Sequence, residues 1–248
     1  MNPLCQEHLL VPEWPAPARV RALSTTRQGG ISESPFASLN LADHVADVPA
    51  DVIENRRRLA MLASYPREPA WLQQVHGNRV VAAETVYEPV AADAAWTRQP
   101  GYPCVVMTAD CLPVLLCDQA GTVVAAAHAG WRGLANGVIA ATVKHLKVPP
   151  SQLLAWLGPA IGPSAFEVGA EVREAFLLLD ADYTGCFQPS PAGRWLADLY
   201  GLARRQLTGL GVTAIYGGDF CTFGDSARFF SYRRESRTGR MASLIWLA

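Results

Sequence analysis

Two periodicities alternate along the chain. Residues 112–117 (Leu-Pro-Val-Leu-Leu-Cys) and 122–127 (Thr-Val-Val-Ala-Ala-Ala) are short apolar runs joined by Asp118-Gln119-Ala120-Gly121, which predicts two strands around a turn. After His128 the period lengthens. Leu134, Val138, Ile139, Val143 and Leu146 recur at helical spacing through Lys147, and Pro149-Pro150 ends that helix. Further helices are predicted over 52–63, with Asp51 as N-cap, and over 168–179 and 196–210. Residues 71–75 and 79–86 read as a second hairpin around His76-Gly77-Asn78. Residues 153–157, 214–217, 229–232 and 241–247 read as strands, 24–30 as a strand leaving through a glycine turn, and 158–163 as a rigid loop. Helices and hairpins alternate without a βαβ rhythm. The fold class expected is α/β mixed (α+β), with mixed sheets in layers rather than a doubly wound parallel sheet.

Three residues stand where apolar runs give way to glycine, proline or charge: His76 in Gln-Gln-Val-His-Gly, Cys111 in Ala-Asp-Cys-Leu-Pro, and His128 in Ala-His-Ala-Gly-Trp-Arg. One thiolate and two imidazoles form a three-ligand set for zinc, with the fourth position left to water or substrate. Symmetric closure of the 112–127 hairpin sets Cys111 opposite His128, and directly opposed residues have Cβ atoms about 4.5–5.5 Å apart. Pro113 works against that register. It cannot donate to a ladder, so it predicts an edge strand or a bulge, and a one-residue slip would put the two side chains on opposite faces.

Half of the residues are hydrophobic and 17% are charged, enough apolar material for a globular core. A net charge of −1 gives no sequence-wide attraction to nucleic acid or to an anionic membrane, and neither is expected as a partner. No apolar stretch reaches the ~20 residues that span a bilayer. The opening Met-Asn-Pro-Leu-Cys-Gln-Glu-His lacks the basic and apolar regions of a secretory signal. The six cysteines form no CxxC pair, so reduced thiols and a cytoplasmic location are expected. Cys104 and Cys117 read as small buried hydrophobes. Cys111, at the end of a run and beside Asp110, does not.

Arg27, Arg132, Arg233, Arg234 and Arg240 lie in loop-like sequence, where a guanidinium fork suits phosphate or carboxylate. Arg132 is the strongest of them, because it is predicted to open a helix whose free N–H groups also face an anion. Asp110 is a candidate to orient a ligand or carry a proton. His44 reads equally well as structural or functional, His8 and His145 look peripheral, and Trp71, Trp131 and Trp156 are expected in the core. The phosphate-loop, dinucleotide, nucleophile-elbow, His-Glu-x-x-His and zinc nucleoside-deaminase signatures are missing. Besides metal chemistry, the residues allow a metal-free Cys111–His128 thiolate–imidazolium pair for hydrolysis or deamidation. A role in binding a nucleotide-sugar or editing a cell-wall precursor stays open as well.

Taken together, Thr-Thr-Arg-Gln-Gly-Gly, Ser-Leu-Asn-Leu, Gln-Gln-Val-His-Gly, Ala-Asp-Cys-Leu-Pro-Val, His-Ala-Gly-Trp-Arg-Gly, Gly-Pro-Ala-Ile-Gly and the final Phe-Phe-Ser-Tyr-Arg-Arg with Thr-Gly-Arg resemble the bacterial laccase-domain proteins. These were known first as polyphenol oxidases and later as purine nucleoside phosphorylases. The resemblance implies a single domain over 1–248, a four-layer α/β/β/α sandwich, with zinc held by His76, Cys111 and His128. It also implies phosphorolysis of adenosine, inosine, guanosine and methylthioadenosine, with deamination of adenosine. Catalytic roles are then expected for Cys111, His128, His76 and Asp110. Arg27, Asn40, His44 and Arg132 become the candidates for holding nucleoside and phosphate, in a monomer or small homo-oligomer. Ala46 departs from the family, which more often has glycine there. Copper is expected only as a secondary metal: with five histidines in all, one His₂Cys set leaves nothing to build a dioxygen-reducing cluster.

Overall fold

The computed structural model describes residues 4–248 and shows a mixed α/β fold; Met1–Pro3 of the opening segment lie outside the described residues. A six-stranded mixed sheet runs in the order Ala214–Gly217, Leu153–Leu157, Leu112–Asp118, Val124–Ala129, Ala94–Thr97, Val80–Ala82. A four-stranded antiparallel sheet runs Leu9–Leu10, Val20–Thr25, Met241–Leu247, Cys104–Thr108. The helices are α1 (Pro49–Ala63), α2 (Trp131–Ala135), α3 (Val138–Leu146), α4 (Ala170–Leu177) and α5 (Leu199–Gly209).

The continuous apolar runs arise because the central strands are covered on both faces. Leu112, Val114 and Leu116 point toward Leu134, Val138 and Ile139 of α2 and α3 and toward Leu202 and Leu207 of α5. Their neighbours Leu115 and Cys117 point the other way, against Cys104, Val106 and Ile245 of the smaller sheet. That smaller sheet turns Leu23, Val105 and Leu244 toward Leu59 of α1. Three buried clusters are therefore stacked through the molecule, separated by the two sheets.

The departures from the sequence reading have local causes. The helix predicted through 134–147 is two helices, because Gly137 at φ 80° breaks it. Helix α1 starts at Pro49, with Val48 as N-cap and Asp51 inside the first turn rather than capping it. Residues 71–86 form no hairpin: Leu72–Gln73 pairs with Val90–Ala91, while Val80–Ala82 pairs with Ala94–Thr97 in another sheet, both parallel. The predicted helices over 168–179 and 196–210 each give their first residues to strands, Glu167–Val168 and Arg194–Ala197, of a small third sheet. Residues 229–232 are turn and loop, with Phe229 and Phe230 wholly buried, so their apolar character marks core rather than strand. Pro113 lies on an interior strand, not an edge. Its carbonyl still accepts from Gly158 N–H, and Tyr200 Oη donates to the Gly158 carbonyl that the missing N–H would have served.

The loop preceding α1 is built around one side chain. Buried Asn55 accepts from Ile31 N–H through Oδ1 and donates through Nδ2 to Ser32 Oγ and to the Ser38 and Asn40 carbonyls. Asn55→Ala strands these groups together, so we expect a loss of about 2–4 kcal/mol, read as a lower urea midpoint at unchanged slope. A midpoint within error of the parent would show that the loop rearranges around the gap.

Candidate metal centre

The two strands that meet at the site run out of the sheet side by side. His128 is paired with Pro113, not with Cys111. The expected register is displaced by two residues, and since side chains alternate with period two, the face is preserved. Cys111 therefore reaches His128 diagonally from beyond the strand end. Opposite Cys111 lies Gly130, whose missing side chain makes room: a Cβ there would sit 2.8 Å from Cys111 Sγ. By parity with Val124 and Ala126, His128 faces the space between the two sheets.

His76 arrives from a loop. Two residues earlier, Gln74 donates through Nε2 to the Met107 carbonyl and accepts from Met107 N–H, docking the loop on the smaller sheet. His76 then takes a left-handed backbone, φ 59°, and Asp110 does the same at φ 96° immediately before Cys111. Non-glycine residues pay for that region, so both turns are held by bonds around them.

What holds the first turn is Asp93, fully buried and not singled out from the sequence. Its carboxylate accepts from the N–H groups of Val75 (3.2 Å), His76 (2.9 Å) and Gly77 (2.7 Å), and bonds His128 Nδ1 at 2.8 Å. Asp93 immediately precedes the strand Ala94–Thr97, and the pairing of Ala94 with Ala127 places it beside His128. The signal was present in the sequence: Asp93 is the lone charge in Pro-Val-Ala-Ala-Asp-Ala-Ala-Trp.

The ligand atoms of His76, Cys111 and His128 lie within 4.8 Å of one another. Cys111 Sγ is 3.8 Å from His76 Nε2, close to the ~3.6 Å ligand separation of tetrahedral zinc with bonds of about 2.1 and 2.3 Å. The cluster could hold a metal ion, and the donor set fits. Asp93 on His128 Nδ1 leaves Nε2 for the ion, the usual carboxylate–histidine support of a metal ligand. Burial pushes the Cys111 thiol up, but His128 and His76 outweigh it and bring it down to about 6. Burial likewise pushes His128 down, and Cys111 and Asp93 carry it up to about 9. The metal-free pair thus favours thiolate beside imidazolium, and a cation binding the thiolate would displace the proton from His128.

The remaining candidates are distributed unevenly. Both carboxylate oxygens of Asp110 are engaged, by Thr222 Oγ1 (2.6 Å) and Arg233 N–H (2.7 Å), which pins the 222–233 loop beside the cluster. Asn40 is wholly buried, with Nδ2 on the Ala42 carbonyl and Asp47 and Oδ1 accepting from the Ala42 and Arg240 N–H groups. Arg27 braces the Ala37 and Ser226 carbonyls. Arg132 is exposed and stacks on Trp131. His44 is exposed beside Asp43. Trp71 and Trp156 are buried, and the six cysteines are all free. Ala46, at φ 63°, occupies a left-handed position that glycine takes at less cost.

Asp93→Asn keeps the side chain's shape while removing its charge and half its acceptors. We expect zinc affinity to fall about ten- to a hundredfold, measured by competition with a chromogenic chelator. Unchanged affinity in a folded variant would show that His128 needs no carboxylate to present Nε2.

Comparison with known proteins identifies the family of the chain. A purine nucleoside phosphorylase of Pseudomonas aeruginosa is 60% identical over 239 residues, covering 96% of this chain and 98% of its own. The purine nucleoside phosphorylase YfiH of Escherichia coli is 54% identical, with coverage of 96% and 98%. A crystal structure of a Neisseria meningitidis protein superposes with a TM-score of 0.94 at 50% identity, covering 97% of this chain and 99% of that one. The family described as multi-copper polyphenol oxidoreductase laccase matches residues 21–248, and this chain belongs to that family.

Proposed function

We propose that this protein is a zinc-dependent purine nucleoside phosphorylase that takes adenosine, inosine, guanosine or methylthioadenosine with phosphate to the free base and a pentose 1-phosphate, and that also deaminates adenosine. Relatives named purine nucleoside phosphorylase, 54% and 60% identical along nearly the whole chain, support the enzyme class. The observation that carries the metal is the His76–Cys111–His128 cluster. We read the fold in the same terms: one domain over 1–248, layered helix, sheet, sheet, helix, supported by the three stacked clusters.

When bound, zinc supplies Lewis acidity at an open coordination position. The chain's own residues do the rest. Asp93 orients His128 and closes the His76 turn, so two of the three donors are positioned by one carboxylate. Asp110 fixes the 222–233 loop as a wall. Val75, Phe223 and Tyr232 are large apolar side chains left exposed. Each is next in the chain to a group bonded into the site: His76, Thr222 and Arg233. Such a rim suits the flat face of a purine. In phosphorolysis a phosphate oxygen forms the bond to the anomeric carbon, and the electron pair of the glycosidic bond leaves with the base. The proton that hydrogen phosphate gives up balances the one the base takes.

Zinc, rather than a set of coppers, suits the ligand inventory. His8 bonds Cys5, His145 bonds the Ala141 carbonyl, and His44 stands exposed beside Asp43, which leaves two imidazoles at the cluster. The chain Asp93–His128–Cys111 also has the parts of a thiol nucleophile with its base and orienting acid. That relay has no use for His76, which a metal does.

Inosine and phosphate should yield hypoxanthine and ribose 1-phosphate in equal amounts, with activity lost to a strong chelator and restored by zinc. Adenosine without phosphate should yield inosine. Absence of base release overturns the phosphorylase reading. Turnover that survives complete metal removal favours the Cys111–His128 pair, and tight binding without turnover favours a binding role.

A further inference from the structure

Among the five arginines in loop-like sequence, Arg240 differs in where it sits, on the segment paired beside the one that leads into Cys111. Met241 pairs with Thr108 in the antiparallel ladder, so Arg240 continues that register beside Ala109, at the segment leading into Asp110 and Cys111. On its other side, Arg240 N–H donates to Asn40 Oδ1 and its carbonyl accepts from Leu41 N–H. The residue is thus clamped between the 40–44 loop and the segment that carries the thiolate.

Its guanidinium is anchored through one nitrogen. Nη1 donates to the Thr238 and Gly239 carbonyls at 2.8 and 3.0 Å, and the group lies 5.8 Å from the Tyr232 ring centroid. Nε and Nη2 make no hydrogen bond among the described residues, nor does any carboxylate pair with Arg240 there. Neither nitrogen is sealed from solvent without a partner. The two free donors form the planar fork that grips two oxygens of one anion. The charges that act on Arg240 are those of the site: burial pushes its pKa down, and Cys111, Asp110 and Tyr232 push it up. Its own charge in turn lowers that of His44, after burial.

Of the other four, three hold carbonyl groups and the fourth lies on a tryptophan. Arg234 braces the Thr222, Phe223 and Phe229 carbonyls. Arg233 reaches the Glu167 carbonyl, Arg27 braces two carbonyls, and Arg132 lies on Trp131.

We infer that Arg240 is the phosphate-binding residue of the site, its Nε and Nη2 donors gripping two oxygens of inorganic phosphate beside the His76–Cys111–His128 cluster. This assignment replaces Arg132 as the leading anion ligand. It rests on the phosphorylase reading for the identity of the anion. The position also has a use in the reaction: phosphate held there stands against the cluster and beside the apolar rim that would take the base.

The test uses the zinc-loaded protein with Arg240→Gln and Arg240→Lys. In steady-state phosphorolysis of inosine, the Gln variant should raise the KM for phosphate about ten- to a hundredfold. The Lys variant should recover part of that loss, with the KM for inosine and the zinc content close to the parent. Binding of inorganic phosphate alone, followed by titration calorimetry, should weaken in the same order. If the parent binds phosphate through Arg240 but does not cleave inosine, the phosphorylase reading fails and the anion site stands. If both variants bind phosphate as the parent does, the assignment is overturned. It is overturned as well if phosphate affinity falls only together with zinc content or thermal stability, since that marks a structural brace.

Discussion

One buried carboxylate organises the candidate site. Asp93 is removed from water, and burial alone pushes its pKa up. The imidazole of His128 and the N–H groups of Gly77 and Val75 outweigh that and hold it below its ordinary value. A buried charge persists only where its lone pairs are matched, and here the matching groups belong to two separate stretches of chain. The loop that carries His76 and the strand that carries His128 are each bonded to the same side chain. Any movement of one relative to the other exposes an unpaired charge, so the spacing of the two imidazoles is held by electrostatics as well as by packing.

The sheets supply the third donor and the opening. Cys111 leaves its strand through a residue with a left-handed backbone, and the carboxylate of that residue, Asp110, is bonded to the 222–233 loop. Gly130 across from it has no side chain to compete for the space. Strained turns cluster where a site needs side chains aimed off the regular ladder, and both turns here carry or adjoin a candidate ligand. The central strands bury both faces along their length, so the place where they end is where the interior meets solvent.

The family's description speaks of several coppers and its close relatives of purine nucleosides. The ligand inventory bears on that difference physically. Two imidazoles and one thiolate converge, and the other three histidines are engaged or directed elsewhere. On the proposed reading, one ion at this cluster, with exposed Val75, Phe223 and Tyr232 and the two unbonded donors of Arg240, would polarise and hold a small polar molecule. A relay for four electrons would need ligands that these positions do not provide. Among the described residues, no helix is long and apolar enough to cross a membrane.

Much of this was legible in the chain itself. The three residues that the fold gathers, His76, Cys111 and His128, stood out because a donor side chain at the end of an apolar run is a local feature. The mixed class followed from alternating periods, and α3, α5 and the central strands were placed near their final bounds. What the sequence could not decide was register and partnership. The Cys111–His128 pairing was off by two residues because the ladder is set by neighbours on both sides of the strand, not by the turn that joins it. Residues 71–86 looked like a hairpin because pairing to strands further along the chain leaves no local trace. Asp93 was passed over because its role exists only once four donors from elsewhere surround it. Arg240 could not be told from Arg27 or Arg132 until the fold set it beside the segment that leads into Cys111. Side-chain chemistry and local period are written residue by residue, whereas which donors remain free is a property of contacts between distant segments, and only the tertiary structure determines those.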